Sequence, residues 1–220
     1  MQKSFVMSWS GGKDSALAYY RAVLEGHVPL ALFTMFEEDG TKSRSHGLPL
    51  EVMKAQAERM GLPLVIGKAS WSGYEKEFVE QLKNFKAQGI DMGVYGDIDL
   101  QDHVAWVEKV SAAADIDVLH PLWQEPRKAL LKELIEEGFK AIITVVDTKR
   151  LDERFLGREF THELIAELEA AGVDACGEEG EFHTIIVDGP IFVEAIPVQF
   201  GKKIKQGDYR LVEVKLHSEE

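Results

Sequence analysis

Ser10-Gly11-Gly12-Lys13-Asp14-Ser15 is the stretch that decides the fold, because of what lies on either side of it. Residues 5–9 are a short run of strand formers, and residues 16–24 are rich in helix formers. Glycines let backbone N–H groups approach an anion, and the first turn of a helix adds free N–H donors and a partial positive charge. The stretch therefore predicts a phosphate-binding turn between a strand and a helix, with two hydroxyls and a lysine as further donors.

The rest of the first half alternates strand and helix patterns. Strands are predicted at residues 29–36, 64–67, 92–96 and 118–123, and helices at residues 50–60, 74–89 and 102–114. Such alternation indicates βαβ units around a parallel sheet. We therefore predict an α/β fold in which helices cover both faces of a parallel, Rossmann-like sheet.

The second half has a different pattern, which predicts a smaller C-terminal α+β domain. Helices are expected at residues 126–137 and 159–171, and strands at residues 141–146, 182–187, 191–200 and 209–216. The lysine-rich run at residues 201–205 is expected to be a turn between the last two strands. We predict a nucleotide-binding domain over residues 1–126 and a substrate-binding domain over residues 127–220, although residues 126–146 fit either one.

Charge and composition narrow the class of protein. The 220-residue chain has a formal net charge of −13, and no basic stripe of the kind that a tRNA binder carries is evident. We therefore expect no nucleic-acid partner. No apolar run reaches bilayer length and no signal-peptide pattern is present, so we expect no membrane association. A single cysteine, Cys176, excludes an internal disulfide and fits a reducing, cytoplasmic location.

Two loops follow the ends of predicted parallel strands, where ligands bind in sheets of this type. The loop at residues 42–49 offers Arg44 and His46 as phosphate contacts, or is simply a polar surface loop. The loop that starts at Gly96 offers Asp97 as a magnesium ligand and His103 as a substrate contact. The alternative is that Asp102 of this loop caps the next helix and the other acids are solvated.

A crowded acidic turn precedes the first strand of the predicted hairpin region. Glu178, Glu179 and Glu181 lie between glycines and should repel one another unless a cation or an ammonium-type group lies among them. Alternation at a strand start would direct Glu181 and His183 to one face. The alternative is an acidic surface turn without a ligand.

The glycine-lysine motif resembles the Ser-Gly-Gly-x-Asp-Ser signature of the PP-loop ATP pyrophosphatases, and a longer set of motifs resembles one branch of them, the diphthine–ammonia ligase family. The most specific is Cys176-Gly177-Glu178-Glu179-Gly180-Glu181-Phe182-His183-Thr184. The others are Arg44-x-His46-Gly47, Gly96-Asp97-Ile98, Pro121-Leu122-Trp123, Leu156-Gly157-Arg158 and Asp188-Gly189-Pro190, in the same order along the chain. The resemblance covers the chain from residue 7 to about residue 197.

The resemblance implies an enzyme that uses ATP and Mg²⁺ to adenylate a carboxylate, releases pyrophosphate, and joins ammonia or an amine to the acyl group. The expected partners are ATP or AMP and a carboxylate substrate, such as diphthine on elongation factor 2. A homodimer is compatible with the sequence. Two alternatives stay open: an RNA-modifying PP-loop enzyme, and a nucleotide-binding protein that acts on another small molecule or as a sensor.

The resemblance and the residue patterns together assign candidate residues. The ATP-binding set is Ser10, Gly11, Gly12, Lys13, Asp14, Ser15, Phe33, Thr34, Met35, Arg44, His46 and Gly96. The catalytic set is Lys13, Asp14, Asp97, Glu178, Glu181 and His183, with Asp14 and Asp97 as Mg²⁺ ligands. The substrate-binding set is His103, Arg158, Glu178, Glu181 and Thr184. Cys176 is expected to be non-catalytic, because the proposed chemistry needs no side-chain nucleophile.

Overall fold

The computed structural model describes residues 1–44 and 46–217, and its first half contains a five-stranded parallel sheet. The strands are β1 (Ser4–Ser8), β2 (Val28–Phe36), β3 (Leu64–Lys68), β4 (Met92–Val94) and β5 (Asp117–Leu119). Their order in the sheet is β3-β2-β1-β4-β5, and each neighbouring pair is parallel. The chain order reverses at β1, so the crevice where such sheets bind ligands lies beyond the carboxyl ends of β1 and β4.

Helices cover both faces of this sheet, as predicted. They are α1 (Lys13–Leu24), α2 (Leu50–Met60), α3 (Tyr74–Ala87) and α4 (Gln101–Ala112). Leu17 of α1 and Val52 of α2 share one hydrophobic cluster, whereas Phe78 of α3 and Val107 of α4 share another. Alternate residues of β1 serve the two clusters, since Phe5 and Val6 contribute to different ones.

The second half contains a four-stranded antiparallel sheet with two helices, which confirms the predicted α+β region. Its elements are α5 (Arg127–Glu136), β6 (Lys140–Asp147), α6 (His162–Ala170), β7 (Phe182–Asp188), β8 (Val198–Gln206) and β9 (Tyr209–Leu216). The strand order is β7-β6-β9-β8. β7 has β6 as its neighbour and packs against α1 of the first half, so the second sheet faces the start of the first helix.

Three predictions in this half are wrong in their boundaries. The strand expected at residues 191–200 begins only at Val198, where β8 starts. The lysine-rich run at residues 201–205 is not a turn but part of β8, and the turn is the two-residue connection Gly207-Asp208. Since β8 pairs only with β9 among the described strands, its lysines can point into solvent from an edge strand. Helix α6 begins at His162 rather than at residue 159, because the Thr161 side chain accepts a hydrogen bond from the Leu164 N–H and caps the helix there.

The two halves are packed together by shared apolar and ionic contacts. One hydrophobic cluster contains Phe5 and Met7 of β1 together with Ile143 of β6 and Ile185 of β7. The domain boundary at residue 126 remains a prediction, although α5, just past it, contacts α1 through the Arg21–Glu133 ion pair. Among residues 1–44 and 46–217, no helix is both long and apolar enough to cross a bilayer.

Candidate functional site: a cleft between the two halves

A cleft of about 710 Å³ lies beyond the carboxyl ends of β1 and β4 and is lined by residues of both halves. It brings together ten of the residues singled out from the sequence. They are Ser10, Lys13, Asp14, Ser15, His46, Gly96, Asp97, His103, Glu178 and His183. The predicted phosphate-binding turn and the predicted acidic turn therefore form walls of one cleft.

The phosphate-side wall is the turn at residues 10–15. Gly11 has φ = +80°, and a Cβ on it would lie 2.7 Å from Leu48 Cδ1. A Cβ on Gly12 would collide with the His46 ring and lie 3.0 Å from the Thr184 carbonyl oxygen. Close packing therefore requires glycine at both positions, and the left-handed backbone conformation requires it at Gly11 as well.

Two backbone donors of this turn are already engaged by side chains. The Gly12 N–H donates to Ser10 Oγ at 3.2 Å, and the Lys13 N–H donates to Thr184 Oγ1 at 3.1 Å. The Gln56 side-chain amide also donates to the Gly11 and Ile186 carbonyl oxygens, at 3.1 and 2.8 Å. These bonds tie the turn to β7 of the second half, so Thr184 acts on the turn from outside the cleft lining.

A buried charge cluster lies where the two walls meet. Lys13 Nζ donates to both Asp14 oxygens at 2.8 Å. Burial alone would lower the pKa of Lys13, but the negative charge of Asp14 and the proximity of Cys176 and Glu178 raise it above its usual value. Lys13 therefore carries its full positive charge at neutral pH.

Asp14, Cys176 and Glu178 converge on the same point, with one ligand atom of each within 4.8 Å of the others. Burial, followed by the charge of Asp14, raises the pKa of Glu178 to about 7. Burial also raises the pKa of the Cys176 thiol to about 12, so that residue is protonated at neutral pH. A carboxyl with a pKa near 7 can give or take a proton at physiological pH.

Two histidines from opposite walls stack on each other. The centroids of the His46 and His183 rings are 4.8 Å apart, and the interplanar angle is 30°. Burial lowers the pKa of His46 to about 4, and burial together with His46 and Lys13 lowers that of His183 to about 3. His46 Nδ1 lies 2.7 Å from the Thr184 carbonyl oxygen, so Nδ1 carries the proton. Both rings are neutral at pH 7, and His183 is a weak base.

A third group lies at the ends of β4 and β5. Asp97 Oδ1 is 3.7 Å from His103 Nδ1, and Asp97 Oδ2 is 3.4 Å from His120 Nδ1. The His120 side chain is 10% exposed, and neither of its ring nitrogens has a hydrogen-bond partner within residues 1–44 and 46–217. Sequence reasoning missed His120, although it lies in the strand predicted at residues 118–123 and directly precedes the Pro121-Leu122-Trp123 motif.

Glu181 does not line the cleft. β7 begins at Phe182, so Glu181 precedes the strand, and strand alternation does not extend to it. Its side chain is buried and accepts a hydrogen bond from the Glu179 N–H at 3.1 Å. Glu181 therefore shapes the turn that presents Glu178.

Other candidates from the sequence also lie outside the lining of the cleft. Arg158 forms a surface pair with Glu167, at 2.7 Å, and Arg44 bonds the Ala69 carbonyl oxygen. Phe33 packs in the core against Phe78, and its neighbours Thr34 and Met35 are buried as well. A base-binding role for residues 33–35 and a substrate contact by Arg158 remain predictions.

Aromatic side chains form a wall of the cleft that sequence reasoning did not assign. The cleft is lined by Trp71, Tyr74 and Trp106. The centroid of the Tyr74 ring is 5.8 Å from that of Trp71 and 5.7 Å from that of Trp106. The Arg44 guanidinium lies 4.6 Å from the centre of the Trp71 ring. The only sequence signal for this aromatic wall was the position of Tyr74 on an amphipathic helix, and that position predicts a core residue equally well.

Comparisons with known proteins agree with this architecture. The family model for the diphthamide synthase N-terminal domain matches residues 2–116, and that for the diphthamide synthase C-terminal domain matches residues 126–219. The chain is 30% identical over 244 residues to a diphthine–ammonia ligase of Danio rerio, covering 96% of this chain and 94% of the relative. It is 29% identical over 220 residues to a diphthine–ammonia ligase of Rattus norvegicus, and the match covers 89% of this chain and 82% of the relative.

Among solved structures, the chain is similar to a predicted subunit of tRNA methyltransferase from Methanocaldococcus jannaschii, with 17% identity and a TM-score of 0.48 over 86% of this chain and 98% of that one. The two family models together span nearly the whole chain, and the zebrafish relative matches over almost its full length. The resemblance found in the motifs is thereby confirmed: the chain belongs to the diphthamide synthase family, whose curated relatives are named diphthine–ammonia ligases.

Proposed function

We propose that the protein is an ATP-dependent, AMP-forming ligase that joins ammonia to a substrate carboxylate. One observation carries the proposal: the turn at residues 10–15 and the acidic turn that holds Glu178 line the same cleft. A phosphate-binding turn opposite a carboxyl with a pKa near 7 suits a reaction that first activates an acid and then moves a proton.

In the first step, a substrate carboxylate oxygen attacks the α-phosphorus of ATP, and pyrophosphate leaves. Lys13 is the buried cation of the phosphate-side wall, and it would stabilise the negative charge that develops on the leaving group. The Ser10 and Ser15 hydroxyls, 3.0 Å apart, would donate to phosphate oxygens. We assign the turn at residues 10–15 to the pyrophosphate side of the reaction.

In the second step, the nitrogen of ammonia attacks the acyl carbon, AMP leaves, and the nitrogen gives up a proton. We assign Glu178 as the acceptor of that proton, because its pKa of about 7 leaves it partly ionised at neutral pH. His183, the other candidate base in the cleft, has a pKa of about 3, so it accepts a proton poorly. His183 would instead orient the substrate through its neutral ring.

The donor set at the junction of the walls also fits Mg²⁺. Mg²⁺ prefers carboxylate oxygens, and Asp14 offers them next to the phosphate turn. Asp14 would hold the ion, and Asp97 remains the predicted second ligand. When bound, Mg²⁺ would neutralise charge on the ATP phosphates.

The choice of substrate is supported by the names of the relatives, which are diphthine–ammonia ligases. We propose diphthine on elongation factor 2 as the carboxylate substrate and ammonia as the nitrogen donor. The alternative is a nucleotide sensor with the same cleft, which would bind ATP without cleaving it.

The test is to incubate the protein with ATP, Mg²⁺, ammonium and elongation factor 2 that carries diphthine. We expect AMP and pyrophosphate in equal amounts, and one nitrogen from ¹⁵N-ammonium in the modified histidine. Elongation factor 2 without diphthine is the matched control and should give no AMP. ATP binding without pyrophosphate release would favour the sensor, and release of ADP would contradict adenylation.

A further inference from the structure

Arg127, the first residue of α5, joins the loop after β4 to the acidic turn. Its Nε and Nη2 donate to Asp99 at 2.7 and 2.8 Å, and its Nη1 donates to Asp174 at 2.8 Å. One guanidinium thus bonds a loop of the first half and a loop of the second half at once.

The Asp174 carboxylate, which Arg127 contacts, also accepts hydrogen bonds from the backbone of the acidic turn. Its Oδ1 accepts from the Cys176 N–H and its Oδ2 from the Glu178 N–H, both at 3.0 Å. Oδ2 is also the atom that Arg127 bonds. Because one carboxylate receives all three donors, the guanidinium and the Glu178 backbone are held on a common oxygen.

The arrangement differs from an ordinary surface ion pair. The Arg127 side chain is 28% exposed and that of Asp174 is 17% exposed, and the contacts use three separate guanidinium nitrogens. A planar, bidentate donor can serve two carboxylates at fixed angles, which a lysine ammonium cannot reproduce. Bonds of this geometry restrict direction as well as distance.

We propose that Arg127 is a positioning residue that acts through Asp174 to hold Glu178 in place for the ammonia-transfer step. The inference rests on the proposed function, since it assumes that the acidic turn acts in the ammonia step, and its structural basis is the hydrogen bonds of Asp174 to Arg127 and to the Glu178 N–H. Arg127 does not line the cleft and is not a catalytic residue.

Removal of the guanidinium has a clear structural consequence. Asp99 and Asp174 lose their shared cation, and Asp14 and Glu178 add further negative charge nearby. Like charges without a cation repel, so the acidic turn should move away from the loop after β4. A displacement of about 1 Å in a reacting group can cost on the order of 100-fold in rate.

The experiment compares Arg127→Gln with Lys128→Gln. Lys128 is the next residue of the same helix and bonds Glu169 of α6 at 2.8 Å, so its loss removes the same charge without touching the acidic turn. Exchange of labelled pyrophosphate into ATP reports adenylation, and ¹⁵N incorporation reports the ammonia step. In Arg127→Gln we expect ammonia transfer to fall by about 30-fold while exchange stays within about twofold, whereas Lys128→Gln should match wild type in both.

A second measurement does not depend on activity. Hydrogen exchange at the Cys176 and Glu178 amides should be about tenfold faster in Arg127→Gln than in wild type, with no change in Lys128→Gln, because Asp174 then holds those amides less firmly. Arg127→Lys should restore less than half of the lost rate. Asp99→Asn, which leaves the Arg127–Asp174 contact in place, should cost less than Arg127→Gln.

Two results would overturn the assignment of Arg127. One is an equal loss of exchange and ammonia transfer, which would indicate general disruption; the other is unchanged ammonia transfer and unchanged amide exchange in Arg127→Gln. If the proposed function is wrong, the result looks different, because the wild-type protein then catalyses neither pyrophosphate exchange nor amide formation. That result would also refute a role for Arg127 in amide formation.

Discussion

The two walls of the cleft are organised by opposite means. The phosphate-side turn at residues 10–15 is closely packed around two glycines, and it is held by Gln56 of α2 and by Thr184 of the second half. The acidic turn at residues 174–181 is held by its own carboxylates, because Asp174 and Glu181 accept hydrogen bonds from backbone N–H groups of the same turn.

The difference explains why so many acids can lie in one short segment. The carboxylates of Asp174 and Glu181 accept hydrogen bonds from backbone N–H groups of the same turn, and these bonds stabilise their negative charge. Glu178 is the one that lines the cleft, and it shares its surroundings with Asp14 and Lys13. The first wall is thus closely packed, and the second presents one titratable group.

The largest effect is expected where the first wall is crowded. In Gly11→Ala the new Cβ would need φ = +80° and would lie 2.7 Å from Leu48 Cδ1. We expect ATP affinity to fall by about 100-fold or more, measured by calorimetry. Gly26→Ala is the matched control, because Gly26 has φ = +89° with open space around it. Equal ATP affinity in both variants, with both folded, would refute the phosphate-turn assignment.

The next effect separates the two glutamates of the second wall. Glu178→Gln should lower ammonia-dependent turnover by about 100-fold while ATP affinity stays the same, because a general base is lost. Glu181→Gln keeps an acceptor for the Glu179 N–H, and we expect a loss of about tenfold or less. Steady-state kinetics and ATP titrations check both.

The pH profile sharpens the same point. At a constant concentration of free ammonia, wild-type turnover should rise as pH increases through about 7, where Glu178 loses its proton, and Glu178→Gln should lack that rise. A larger loss in Glu181→Gln than in Glu178→Gln would mean that the wrong carboxylate has been assigned to the cleft.

A smaller effect is expected where the walls meet, at the stacked histidines. The folded-state pKa values of His46 and His183, about 4 and about 3, lie below the unfolded value of 6.5. The unfolded state therefore binds more protons in this range, and the free energy of unfolding should fall as pH drops from about 6.5 towards 4. The loss should be on the order of a few kcal/mol by urea denaturation. His183→Gln should flatten this part of the profile, and an unchanged slope would show that the histidines are not the cause.

The smallest effect is the binding of tRNA, for which neither wall is suited. The net charge is −13, and the lysines of β8 are spread along an exposed edge strand, where Lys203 lies near Glu153. Filter binding at physiological salt should detect no tight complex. A sub-micromolar complex that weakens steeply with added salt would contradict this expectation.

Much of the first half could be predicted because its signals are local. The helix pattern at residues 50–60 coincides with α2, and Gly61 ends it in the left-handed conformation. The second half was harder, as β8 shows: three lysines looked like a turn, and only pairing with β9 makes that run a strand. Strand pairing depends on residues distant in sequence, so no local pattern predicts it.

By itself, the sequence determined the parallel α/β fold, the α+β region, the position of the turn at residues 10–15 and the membership of a family, because each depends on periodicity or on a contiguous motif. Only the tertiary structure decided which acids share the cleft. Glu178 lies beside Asp14 and Cys176, Glu181 turns inward, and His120 joins Asp97. The physical reason is that burial and charge at these positions come from the packing of β7 and α5 against the first half of the chain, and such contacts between distant segments leave no local pattern in the sequence.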